Sequence, residues 1–384
     1  MSTTNAILEP AVDNASADDR TALRQLVRQF MIAAIAFVLT AGVWELVVGR
    51  LHARPPVPEP FKTKIDLCLN KPGVNTVFIG SSRYFHGIDP AVFDAETSRD
   101  GVATRSYNLG FDALDFPEQR FVLAHVLDDP RSKGLRYVFI EPSLRVRLAP
   151  GLEHSQRALT LHDANGSQEI AKLILKGNHD WKRKLFWLYE QGSVSAMRLT
   201  NVGALTNRYV HAQEPDPDPA VLGGPGSDGY SGLTPHVMLG PKTTAVDIRQ
   251  MVTDQKSQET FGTARSLNAF EIAQLTDLQT LAVKHGVKLI LLAPPTAAGD
   301  IYGEFSAVSR ASEGKVPMLS FADPVTYFDL YDPDGFVDPD HIAKDVAEKW
   351  SAKAADAFAK LVHSSGGQVN LNRDTMRDSQ EGQH

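Results

Sequence analysis

Cysteine is nearly absent from this chain. Cys68 is the only one in 384 residues, so no intramolecular disulfide and no cysteine-rich zinc or iron–sulfur site can form. A lone cysteine leaves the redox compartment open. Basic blocks interleaved with aromatics are missing as well. The 39 basic residues are outnumbered by 46 acidic ones, a formal net charge of -7, which argues against a nucleic-acid partner. A phosphate-cradling loop is also lacking, because the run GSSRYFHG has neither the lysine nor the glycine spacing of a P-loop. Asp329, Asp332 and Asp334 lack the terminal glutamate of a calcium loop, and a turn around Pro333 and Gly335 accounts for them. No cofactor and no metal is therefore expected. Hydrophobic residues make up 42% of the chain, enough for a substantial core in one large domain or two modest ones.

Long apolar runs are scarce, with one exception. Residues 30–48 read FMIAAIAFVLTAGVWELVV, and as a helix they would rise roughly 28 Å, close to a bilayer core. Glu45 is the one charge, and Trp44 suits an interface. Arg20, Arg24 and Arg28 precede the run; Arg50, Arg54, Lys62 and Lys64 follow it, so the charge bias is weak. A cleaved signal peptide is the alternative, but Thr40-Ala41-Gly42 is a poor cleavage site inside an apolar run. The expectation is a cytoplasmic segment at 1–29, an uncleaved transmembrane anchor at 30–48 and a proline-containing linker at 49–72. The large domain would then lie on the outer side of the inner (cytoplasmic) membrane.

The rest of the chain alternates strand and helix signals. TVFI at 76–79, RYVFI at 136–140 and VKLILLA at 287–293 are compact apolar runs, and ATRSYNL leads to Gly110. Asp89-Pro90 opens a helix; Pro117 begins another; a third runs from Leu267 to Leu281 and stops near Gly286. Ile342, Val346, Trp350, Ala354, Phe358 and Leu361 stripe the last one. The pattern predicts an α/β fold at 73–363: a three-layer, flavodoxin-like sandwich with a mostly parallel central sheet. A helical and loop insertion at about 150–260 reads as a lid, and 364–384 as a disordered polar tail.

Two short stretches carry the chemistry. Gly80-Ser81-Ser82-Arg83 follows a strand, where open α/β sheets place ligands. Asp338-Pro339-Asp340-His341 lies near the C-terminus. A serine needs a base to take its proton, and the base needs a carboxylate to fix its tautomer. Ser82, His341 and Asp338 supply these groups, and the Ser82 N–H is a candidate oxyanion donor. Each stretch also has a plainer reading. Gly-Ser-Ser is common in turns, and Asp338-Pro339 is a good helix start, with His341 in the first turn and Asp340 a helix-end charge. Arg83 could bind a carboxylate or sugar oxygen or be solvated, and His86 could bind a ligand or only a neighbour.

Taken together, the two ends resemble the SGNH hydrolase superfamily over roughly residues 73–150 and 260–362. The nearest likeness is to its membrane-anchored branch of alginate O-acetylation and teichoic-acid D-alanylation proteins. The resemblance implies Ser82 as nucleophile, Asp338 and His341 as the closing Asp-x-x-His pair, and Ser106-Tyr107-Asn108-Leu109-Gly110 as the second block. Gly110 would join Ser82 in the oxyanion hole, with Arg83, Asn108 and Glu141 as candidate substrate contacts; Glu141 reads equally well as a capping or buried, paired carboxylate. Two departures stand out: Ala113 occupies a glycine position, and IEPS at 140–143 replaces the usual asparagine block. The implied function is O-acyl (acetyl) transfer or ester hydrolysis on a cell-envelope or extracellular polysaccharide, with a multipass membrane O-acyltransferase as partner. The alternative is a catalytically weak glycan-binding or assembly subunit.

Overall fold

A computed structural model of the chain describes residues 17–51, 57, 61–144, 146, 156–200, 227–233, 250, 252–253 and 266–378. Strands β1 (Thr76–Ile79), β2 (Ser106–Asn108), β3 (Tyr137–Ile140), β4 (Lys288–Ala293) and β5 (Met318–Ser320) form a sheet in the order β2-β1-β3-β4-β5. Every pair in it is parallel. A separate antiparallel ribbon joins β6 (Phe336–Asp338) to β7 (His341–Ile342). The helices are α1 (Ala17–Leu51), α2 (Phe61–Asn70), α3 (Ser82–Phe85), α4 (Pro90–Arg99), α5 (Phe116–Asp128), α6 (Gln156–Leu161), α7 (Ala164–Lys176), α8 (Trp181–Thr200), α9 (Ala269–Lys284), α10 (Gly299–Ser312) and α11 (Lys344–Asp378).

Strand periodicity sorts the core into two layers. Val77, Ile79, Val138, Ile140, Leu289 and Leu291 pack with Phe61 of α2, Val122 of α5 and Leu275 of α9. The alternate positions Phe78, Phe139, Ile290 and Leu292 pack with Phe93 of α4 and Trp350 and Phe358 of α11. Phe78 stacks on Phe139 at 4.8 Å between centroids, and Phe358 meets Phe139 edge-on at 5.2 Å. Both sheet faces are covered, which is why the strands are apolar at nearly every position.

The expected architecture is corrected in two respects. The fold is mixed, since the β6–β7 ribbon adds an antiparallel element outside the parallel sheet. Among the described residues, moreover, no helix is long and apolar enough to cross a membrane. Residues 17–51 are one helix, with exposed apolar side chains that include Phe30, Met31, Ile35, Val38 and Val43. The transmembrane anchor at 30–48, the bilayer contact, the multipass membrane partner and the inner-membrane placement therefore lose their support.

Three local differences also appear. The expected linker at 49–72 contains α2, whose Phe61, Ile65 and Cys68 are buried in the core. The last helix runs on to Asp378, past the point where the polar tail was expected. Much of the 150–260 insertion lies outside the described residues, but 227–233 is stitched to the sheet edge. Asn108 N–H donates to the Asp228 carbonyl at 2.7 Å, and Ser231 N–H to the Phe85 carbonyl at 3.1 Å.

Candidate active site

The chain turns sharply at the end of β1. A Cβ on Gly80 would lie 2.5 Å from the Tyr84 ring, so only glycine lets α3 fold back this closely. Ser81 caps α3 and Ser82 is its first residue. The Tyr84 hydroxyl ties the helix to the Leu292 carbonyl of β4. Ser82 is thereby held at the carboxyl edge of the parallel sheet. Its N–H donates to no acceptor among the described residues.

The histidine arrives on a hairpin, not on the helix that the Asp338-Pro339 pair predicts. Asp338 pairs with His341 across the β6–β7 turn, and α11 begins only at Lys344. Asp338 Oδ1 accepts from the backbone N–H groups of Asp340, at 2.8 Å, and His341, at 3.0 Å. This local turn competes successfully with helix initiation. It points the His341 ring at Ser82: Nε2 is 2.7 Å from Ser82 Oγ, and Nδ1 is 2.7 Å from Asp338 Oδ2. Since the carboxylate can only accept, Nδ1 carries the proton and Nε2 is left to accept from the serine hydroxyl. Burial pushes the Asp338 carboxyl up, but the His341 hydrogen bond and charge, with the two backbone donors, outweigh this and hold it below its ordinary range.

A second ionic unit locks the two loops together. Arg83, next to Ser82, is 8% exposed. Its Nε lies 2.7 Å from Glu141 Oε1, and its Nη1 2.9 Å from Asp340 Oδ1 in the histidine turn. Glu141, at the end of β3, also accepts from Ser81 N–H at 2.6 Å. Burial opposes the Arg83 charge, but Glu141 and then Asp340 outweigh it and raise its pKa above the ordinary arginine value. Arg83 and Glu141 thus direct their charged groups at each other and at the loops. Asp340, read from sequence as a helix-end charge, is the link between them.

The second block is placed at the same edge but is wired inward. Asn108 is fully buried; its Nδ2 donates to the Tyr84 and Ile88 carbonyls at 2.7 and 2.8 Å. Its Oδ1 accepts from Gly110 N–H at 2.8 Å. Neither Asn108 nor the Gly110 N–H is therefore offered to a substrate. A Cβ on Gly110 would lie 2.4 Å from Phe85 N, so glycine is needed for this loop to approach α3. The Asp112 and Ala113 N–H groups have no acceptor among the described residues. Ala113 holds a φ of 53°, the left-handed region that glycine would occupy freely.

His86 and Asp112 complete the surroundings. The His86 ring is 5.9 Å from the His341 ring. Its Nδ1 lies 2.6 Å from the Ser231 carbonyl and its Nε2 3.3 Å from Asp112 Oδ1. The hydrogen bond from His86 holds the exposed Asp112 carboxyl below its usual range, against a smaller opposing effect of burial and with further help from the His86, His341 and Lys64 charges. Sequence reading passed over Asp112 and Ser231; neither lies in a pattern that marks it.

No family model matches the chain, and no curated protein matches it either. The resemblance to the SGNH hydrolase superfamily and its membrane-anchored branch is corrected accordingly: no family or homologue supports it. The site rests on its own geometry.

Proposed function

We propose that this protein is a serine-dependent O-acyl transferase or esterase. The observation that carries the reading is the hydrogen-bonded chain Ser82 Oγ to His341 Nε2 to Asp338, at 2.7 Å in each link. His341 takes the Ser82 proton as Oγ attacks an acyl carbonyl. Asp338 steadies the imidazolium that forms. The uncommitted Ser82 N–H and those of Asp112 and Ala113 are the donors available to the oxyanion. His341 then protonates the departing alkoxide. Water or a second hydroxyl, deprotonated by His341, takes the acyl group from Ser82. A polysaccharide hydroxyl is the proposed acceptor, with the exposed Asp112 carboxylate beside His86 as its hydrogen-bond acceptor.

One observation favours the second reading, a catalytically weak glycan-binding subunit. The Gly110 N–H is already committed to Asn108, so one expected oxyanion donor is taken. Turnover of activated acetyl esters by wild type, Ser82→Ala and His341→Ala separates the two. Turnover that both substitutions abolish supports acyl transfer. Glycan binding with no turnover that depends on Ser82 supports the binding subunit.

A further inference from the structure

Lys64 sits where a lysine is costly. α2 places Phe61, Lys64, Ile65 and Cys68 at i, i+3, i+4 and i+7, so Lys64 falls on the stripe that enters the core. It is 1% exposed. Its Nζ donates to the Gly110 carbonyl and lies 3.9 Å from the Phe85 ring centroid and 4.9 Å from that of Phe111. No carboxylate among the described residues forms an ion pair with it; Asp112, Cys68 and Asp228 act on it only at longer range. An apolar side chain of the same length would fill the site without burying a charge.

What the ammonium touches explains its presence. Phe85 ends α3, the helix that begins at Ser82. Gly110 begins the loop that carries Asp112 and Ala113. One cation therefore grips both walls of the candidate oxyanion site, one through a ring face and one through a carbonyl.

We propose that Lys64 is a positioning residue, whose buried ammonium clamps α3 to the 110–113 loop and sets a positive charge beneath the forming oxyanion. The proposal rests on the serine acyl-transfer reading. Burial lowers the Lys64 pKa to about 7, against the pull of Asp112, Cys68 and Asp228. The charge is present below that pH and lost above it. The other ionisable groups around the clamp are His86 beside Phe85, His341 across the site, and Arg157 over the Phe61 ring.

The test compares full-length wild type, Lys64→Met and Lys64→Arg. Acylation by an activated acetyl ester is followed across neutral pH, and amide hydrogen exchange is followed at 82–86 and 110–114. Wild-type acylation is expected to fall again above about pH 7. Lys64→Arg should lack that fall, and Lys64→Met should lack it and acylate about tenfold more slowly at slightly acidic pH. Exchange at the two segments should speed up about tenfold or more in Lys64→Met, the loss of a charged hydrogen bond. An alkaline fall that persists in both variants, or unchanged exchange in Lys64→Met, overturns the clamp while leaving Ser82 acylation standing. If wild type forms no Ser82 adduct, the acyl-transfer reading fails instead, and exchange alone decides the clamp. Should Lys64→Met not fold, the alkaline fall in wild type against Lys64→Arg decides the clamp: its absence from Lys64→Arg supports it and its persistence overturns it.

Discussion

Replacing Arg83 by Met would remove the bolt between the serine and histidine loops. The guanidinium makes close contacts to Glu141 at 2.7 and 2.6 Å and to Asp340 at 2.9 Å. The Glu141 side chain is fully buried, whereas the Asp340 side chain is 39% exposed. Without Arg83, Glu141 keeps one described donor, Ser81 N–H. A buried charge stripped of its partner costs about 3–5 kcal/mol. Asp340→Asn breaks only the exposed arm, worth about 0.2–1 kcal/mol. Because total stability is about 5–15 kcal/mol for a folded domain, Arg83→Met should sit close to the unfolding threshold. Urea denaturation of wild type, Arg83→Met, Asp340→Asn and Arg83→Met/Glu141→Gln measures this directly. The double variant should recover part of the loss, since Gln buries no charge. Asp340→Asn should slow acylation with little loss of stability, which isolates the link between loops. A loss under about 1 kcal/mol in Arg83→Met, or equal losses in Arg83→Met and Asp340→Asn, would show that the buried Arg83–Glu141 pair does not hold the two loops together.

Other outcomes follow from the same geometry. Asp338→Asn should keep the fold but lower kcat by about 10³–10⁴, because the amide can favour the wrong His341 tautomer; steady-state kinetics with thermal unfolding checks both halves. Ala113→Gly should relieve the left-handed backbone and stabilise the protein by up to about 1 kcal/mol in denaturant titrations. Lys64 makes a pH prediction. Its folded pKa of about 7 lies below the unfolded 10.5, so the unfolded state binds more protons between these values. The penalty for the buried charge is full below pH 7 and fades as pH rises toward 10.5. Wild-type stability should therefore rise across that window relative to Lys64→Met, and parallel profiles would contradict the assignment.

The apolar runs TVFI and VKLILLA announced β1 and β4, because strands buried on both faces leave little room for polar residues. Gly80-Ser81-Ser82 and Asp338-x-x-His341 were legible because the chemistry needs a tight turn and a base–carboxylate pair. The hairpin under His341 was not, since Asp338-Pro339 satisfies helix-start rules equally well and only the β6–β7 pairing decides. Asp340 was misjudged because its partner, Arg83, is remote in sequence; for Glu141 a buried, paired role stood open beside substrate contact, and only the fold names Arg83 as the partner. Lys64 was hidden in a segment read as linker; the i, i+3, i+4, i+7 stripe of α2 was the available signal. The anchor rested on one apolar run and the family likeness on motifs at the two ends of the domain. No described helix is long and apolar enough to cross a membrane, and no family model or curated protein matches the chain.

The most direct measurement is intact-protein and peptide mass spectrometry after exposure to an activated acetyl ester, with Ser82→Ala and His341→Ala alongside. One acetyl group is expected, mapped to Ser82, absent from Ser82→Ala and strongly slowed in His341→Ala. An unmodified Ser82 in folded wild-type protein, or acetylation that His341→Ala leaves unchanged, would contradict the acyl-transfer reading.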